Sequence, residues 1–339
     1  MNGRSARAIS VLLQPRAAAD DVTGGLDRFS SMRHFSESQV RELADVHEVI
    51  GVIRAAFVRN FANTLRMPQR TSLELADGTV LLIMPSYDCT LSAAGVKIVG
   101  VSREAGVNAV YELLEPATGA VIAHMEANYL TDLRTAATSA VATDLLAGAD
   151  AKTLGVFGSG RQAIAHFLAV SRVRPFRRFL VCGSGRSDLR EFCARLKKEQ
   201  AIEVEAVDAE TCVRLSDVIC TCTTSSAPLF DGRWLRQGTH LNLVGAFHPT
   251  TREVDDETVK RARVVVESYE AVLAEAGDLL IPLSRNVINP DHIVADLHEI
   301  SSGEKLARTR PQDITLFKSV GCALEDLVTA HLIYQRSQR

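Results

Sequence analysis

Leu154-Gly155-Val156-Phe157-Gly158-Ser159-Gly160-Arg161-Gln162-Ala163 is the stretch whose reading decides the fold. Apolar residues up to Phe157 make a strand, the glycines make a tight turn, and a helix starts at Arg161. Gly158 permits the turn, Gly160 lets the backbone approach a pyrophosphate, and Ala163 lets the helix sit close to the strand. The pyrophosphate would accept backbone N–H groups at the positive end of that helix. Downstream the pattern keeps alternating: a helix over residues 161–173, a strand over 178–182 and a helix over 187–198. Short apolar strands follow at 204–207, 218–221, 240–244 and 264–266. This succession predicts a doubly wound parallel sheet over residues 148–304.

The motif in that context predicts a Rossmann-type dinucleotide site in which Gly158, Ser159, Gly160, Arg161 and Gln162 meet the cofactor. An NAD site wants an acid at the end of the second strand, to bind the ribose 2′-OH. Here the strand ends Val181-Cys182-Gly183-Ser184-Gly185-Arg186-Ser187, with no acid. Guanidinium and hydroxyl donors at Ser184, Arg186 and Ser187 suit a 2′-phosphate, so NADP(H) is expected over NAD(H).

Upstream, residues 1–32 read as a flexible extension: Arg4, Arg7 and Arg16 stand among small residues, with no acid before Asp20. Ser36 caps a helix expected to run through Val40, Leu43, Val46, Ile50 and Ile53. A hairpin around Asp77-Gly78 and strands at 95–101, 107–114 and 120–125 predict a largely antiparallel sheet. A helix rich in small residues spans 129–146. Residues 313–335 read as one long helix that packs back on this first part. The expected division is an α+β substrate-binding and dimerisation domain (33–147 plus 305–339) around a Rossmann domain (148–304).

The 339 residues carry a net charge of −3, which gives no electrostatic case for nucleic acid or an anionic membrane. No apolar run approaches the roughly 18–20 residues needed to cross a bilayer. Seven cysteines with no CxxC pair or Cys/His cluster read as plain thiols, with no metal, in a reducing cytoplasm.

Leu130-Thr131-Asp132-Leu133-Arg134-Thr135-Ala136-Ala137-Thr138-Ser139 resembles the signature helix of the ornithine cyclodeaminase/μ-crystallin family. The glycine turn ending in Gln162-Ala163 resembles that family's version of the motif. So do Val244-Gly245 with Pro249 and Arg252-Glu253-Val254, and Asp313-Ile314-Thr315-Leu316-Phe317-Lys318-Ser319-Val320-Gly321. The resemblance implies a homodimer built through the first domain and chemistry on small amino or imino acids. It implies that Arg70 grips the substrate carboxylate, Arg134 makes a second contact, and Lys97 binds it and moves protons. Arginine's planar fork suits this bidentate task. Period-two alternation puts Lys97 with Gly95 and Val99, where a lysine needs an anion. Three cations would repel one another in an empty site. Val320 and Gly321, in the last helix, would lie against the nicotinamide, and Thr131 and Asn242 would be polar liners.

One position departs from the family. Three residues after Val244, where the cyclodeaminases carry a catalytic aspartate, stands Phe247, followed by His248. Phenylalanine neither accepts a proton nor pairs with an ammonium, so Phe247 is read as an apolar part of the substrate pocket. The expected function is NAD(P)H-dependent imine or ketimine reduction, or amino-acid dehydrogenation, on a small 2-imino or amino acid. The alternatives are an ornithine cyclodeaminase-type lyase that recycles NAD and a binding protein without turnover.

Overall fold

The computed structural model describes residues 32–339 except residues 60, 76–77 and 103–105, and gives no side-chain placement for residues 61, 62, 186 and 187. The extension expected at 1–32 therefore lies outside the described residues, apart from its last position.

The first sheet comprises β1 (Arg33–Phe35), β2 (Leu65–Arg66), β3 (Thr71–Glu74), β4 (Val80–Asp88), β5 (Ala93–Ser102), β6 (Gly106–Leu114) and β7 (Val121–Glu126). It is antiparallel except where β1 lies parallel to β7. On β5 the buried positions are Ala93, Gly95, Lys97 and Val99, so Lys97 does share a face with Gly95 and Val99. The helix expected to run unbroken through Val40 and Ile53 is two helices, Glu37–Leu43 and Val46–Val58. Asp45 separates them: its side chain accepts the Glu48 N–H and starts the second helix.

The second sheet is parallel throughout. Its strands are β8 (Thr153–Phe157), β9 (Arg178–Cys182), β10 (Glu205–Ala206), β11 (Val218–Thr221), β12 (His240–Leu243), β13 (Ala262–Val266), β14 (Ile293–Asp296) and β15 (Ile314–Lys318). They lie in the order β10-β9-β8-β11-β12-β15-β13-β14. The strand order turns between β8 and β11, the point where such sheets bind ligands.

The last segment corrects the sequence reading. Residues 313–335 are not one helix: β15 inserts between β12 and β13, and the helix is Ala323–Arg336. Ile314-Thr315-Leu316-Phe317-Lys318 is buried at every position, and a short run buried on both faces carries no period that separates strand from helix. Val320 and Gly321 thus stand in the loop between β15 and that helix.

Helix Asn128–Leu146 lies between the sheets. Ala136, Ala137, Ser139, Ala140 and Ala142 are fully buried, and their small side chains let the helix Arg161–Val170 pack closely against it. Asn242, expected as a liner, is instead buried within the fold, where its amide donates to Thr143 Oγ1 at 2.9 Å.

Glu253 holds the loops beyond β11 and β12. Its carboxylate accepts the Thr223 and Gly245 N–H groups (both 2.8 Å) and the Thr221 and Thr223 hydroxyls (both 2.7 Å), and the residue is fully buried. Glu253→Ala leaves four donors, one buried and three part-buried, without their acceptor, so it should cost at least about 3 kcal/mol of stability. Chemical denaturation checks this, and an unchanged midpoint would refute it.

Candidate functional site

A cleft of about 240 Å³ opens where the C-terminal ends of the parallel strands face the first sheet. Cys222, Thr223 and Thr224 follow β11, Val244, Gly245 and Phe247 follow β12, and Ser319, Val320 and Gly321 follow β15. Across from them β4 and β5 present an apolar wall that includes Leu82, Met84 and Val99, with Lys97 set into it. Helix Asn128–Leu146 adds Thr131 and Arg134.

Of the residues singled out from sequence, the cleft gathers Arg70, Lys97, Thr131, Arg134, Gln162, Phe247, Val320 and Gly321. Gly158, Ser159, Gly160, Arg161 and Ser184 lie outside its lining, along the ends of β8 and β9. The side chains of Arg186 and Ser187 lie outside the described residues. His248 is not part of the cleft lining, and its Nδ1 is bonded to Thr250 Oγ1 at 2.9 Å.

The glycine turn has the form a pyrophosphate needs. Gly158 has φ +111°, and a Cβ there would stand 2.5 Å from the Cys222 carbonyl oxygen. A Cβ at Gly160 would meet nothing within 4 Å, so that backbone is open to a ligand. Helix Arg161–Val170 has no side-chain cap, leaving its first N–H groups for an anion. Two buried polar atoms of the cleft, Thr131 Oγ1 and Gln162 Oε1, have no hydrogen-bond partner among the described residues. Asp132 clamps the turn, accepting from Arg161 Nε at 2.6 Å and Gln162 Nε2 at 3.2 Å. Burial raises the Asp132 carboxyl to about 6, against the pull of Arg161. Arg161 also meets Glu37 at 2.7 Å.

The three cations are not left to repel one another, which corrects the sequence expectation. Lys97 Nζ lies 2.8 Å from Asp326 Oδ2, and both side chains are buried. Arg134 donates from NH1 to Glu325 Oε2 at 2.5 Å, and its Nε is 3.0 Å from Asp326 Oδ1. Arg70 holds Glu275 through two nitrogens and donates to the Val320 carbonyl oxygen at 3.0 Å. Arg70 itself stands in the connection between β2 and β3, not on a strand. Burial, with Arg134 beside it, lowers the Lys97 ammonium to about 8, while Asp326 opposes the fall. Gly321 (φ +86°) admits Arg134: a Cβ there would lie 2.6 Å from its NH1.

Sequence reasoning missed Glu275, Glu325 and Asp326. A signal was present: Glu325-Asp326 sits in the first helical turn amid Leu324, Leu327 and Val328, a place where acids are buried only with partners.

A model of the ornithine cyclodeaminase/mu-crystallin family matches residues 32–339. The chain belongs to this family. It is 35% identical over 311 residues to a Delta(1)-pyrroline-2-carboxylate reductase of Bacillus cereus, covering 89% of this chain and 95% of that one. It is 34% identical over 274 residues to the rat ketimine reductase mu-crystallin, covering 79% and 84%. The structure of Thermococcus litoralis Delta(1)-pyrroline-2-carboxylate reductase in complex with NADH and L-proline superposes with a TM-score of 0.88 at 38% identity, covering 91% of this chain and 98% of that one.

Asp326 is the only described acid placed against both Lys97 and Arg134. Asp326→Ala leaves two buried cations short of a counter-charge and should cost about 3–5 kcal/mol. Thermal unfolding reads this, and a melting temperature equal to the parent's would exclude it.

Proposed function

We infer that this chain is an NAD(P)H-dependent oxidoreductase that reduces the C=N bond of a small 2-imino acid. The observation that carries this reading is the cleft itself, where a dinucleotide-type glycine turn meets a buried cationic floor of Lys97 and Arg134. Family membership and the pyrroline-2-carboxylate and ketimine reductases among the relatives support it.

When bound, the nicotinamide supplies a hydride. The protein's part is to position and polarise the substrate. Arg134 and Lys97 hold its carboxylate. Arg70 joins them by exchanging Glu275 for the substrate's carboxylate. The apolar wall of Leu82, Met84 and Val99 keeps water from the reacting carbon. An imine accepts hydride best as the iminium, and the Lys97 ammonium keeps a proton at hand for its nitrogen. Phe247 lines the cleft with 41% of its surface exposed and offers no acid for a substrate ammonium, which counts against ornithine cyclisation.

For the cofactor we favour NADP(H), because the β9 end, Cys182-Gly183-Ser184-Gly185, carries no acid. One observation favours NADH: a Cβ on Gly185 would lie 2.7 Å from Asp188 Oδ2, so an acid does stand near that loop. The assembly is proposed as a homodimer through the first sheet, which exposes Leu73, Ile83 and Val121. Among the described residues no helix is long and apolar enough to cross a membrane.

The test is cofactor oxidation followed with NADPH and with NADH over a panel of cyclic ketimine carboxylates and of 2-oxo acids with amines. Oxidation with the cyclic imino acids is expected, faster with NADPH, and abolished in Lys97→Met while cofactor binding survives. No oxidation across the panel would overturn the reading, and faster turnover with NADH would overturn the cofactor preference.

The rate should also depend on pH. Lys97 is charged below about 8 and neutral above it, so kcat/KM should fall as pH rises through that value. A profile flat through that range would remove Lys97 as the proton source.

A further inference from the structure

The loop that carries Phe247 into the cleft is tied down by charges outside the cleft lining. Lys318 ends β15, Asp278 stands in the first turn of the helix Gly277–Ser284, and both are fully buried. Lys318 Nζ lies 2.9 Å from Asp278 Oδ2. Lys318 stands beside Leu243 of β12, and its Nζ reaches past that strand's end to donate to the Ala246 carbonyl oxygen at 2.5 Å. Asp278 Oδ1 accepts the Glu253 and Val254 N–H groups at 2.7 and 3.2 Å, and Glu253 in turn accepts the Gly245 N–H at 2.8 Å. Beyond Phe247, the His248 and Pro249 carbonyl oxygens press on Gly277, where a Cβ would stand 2.7 and 2.8 Å from them. The residues before and after Phe247 are thus both fixed to the start of one helix.

A fully buried lysine–aspartate pair is a poor way to gain stability, since apolar side chains of similar volume often do as well or better. It does one thing that apolar packing does not: it holds a backbone carbonyl at a fixed point through a charge-assisted hydrogen bond. We propose that Lys318 and Asp278 are positioning residues that hold Phe247 as a rigid wall of the cleft, and that this wall excludes imino acids carrying a second, fused ring. In what it says of the substrate, this rests on the reductase reading above. Phe247 lines the same cleft as Lys97 and Arg134, with 41% of its surface open to a guest. A loosely held phenylalanine would swing aside for a larger ring. One whose backbone is anchored on both sides rejects it by overlap, which is how a site gains selectivity without new attraction.

The test is calorimetric binding of two ring carboxylates without a C=N bond, furan-2-carboxylate and benzofuran-2-carboxylate, to the protein in the presence of NADPH. The parent should bind the single ring at least about tenfold more tightly, and Phe247→Ala should abolish that preference. The double variant Lys318→Met with Asp278→Asn removes the buried charges together, and the new Asn Oδ1 still accepts both N–H groups. It should also lose the preference while holding furan-2-carboxylate within about twofold of the parent, and adding Phe247→Ala should change nothing more. A merely structural role would weaken both ligands alike and leave their ratio as it was. If the double variant fails to fold, Gly277→Ala decides: it displaces the same loop, which is exposed at Pro249 and Thr250 and can yield, and leaves the ion pair in place. An unchanged ratio in the deciding variant, or a parent that binds both ligands alike or neither, overturns the proposal. If the parent reduces no imino acid but the ligands behave as expected, the reductase reading falls and the wall stands. If it reduces a fused-ring ketimine as fast as a single-ring one, the wall falls and the reductase reading stands.

Discussion

Lys97 and Arg134 are buried to 1% and 5% exposure, and everything around the cleft follows from the need to neutralise them there. A buried cation without a counter-charge costs far more than the fold can supply. The acids that meet them come from the far end of the chain. To deliver Glu325 and Asp326, the last segment first runs through the parallel sheet as β15, then turns at Ser319–Gly321 and starts a helix under the first sheet. Gly321 is part of the same requirement, since any Cβ there would take the space of the Arg134 guanidinium. The two sheets are therefore joined at the cleft by ion pairs, and residues 33–339 form one compact unit.

This joint explains which parts of the protein were legible in the sequence. The glycine turn, the antiparallel strands and the parallel alternation are local patterns. Each matched because turn chemistry and burial period act over a few residues. Lys97 was legible for the same reason: alternation along β5 set its face without knowledge of any partner. The acids opposite were not, because Asp326 lies 229 positions from Lys97 and no local rule pairs them. Arg70 and Glu275 are likewise 205 residues apart. The misread β15 has a different cause. A strand buried on both faces within a parallel sheet loses the alternation that marks a strand, and Lys318 inside it finds Asp278 only through the fold.

The charge count then bears on the form of substrate the site takes. Arg70, Lys97 and Arg134 bring three positive charges, and they are ion-paired with Glu275, Asp326 and Glu325. Three acids against three cations leave the ion pairs of the site balanced. A cleft with apolar walls and balanced ion pairs disfavours any guest with net charge. A cyclic imino acid protonated on nitrogen is neutral overall, its iminium balancing its carboxylate, and that is also the form that accepts hydride. Selecting by charge would thus select the reactive form. An ornithine-like diamino acid brings one ammonium more than its carboxylate balances. That charge would need an acid in the cleft, and the family position that could supply one is occupied by Phe247. Electrostatics and that single side chain lead to the same class of substrate by independent routes.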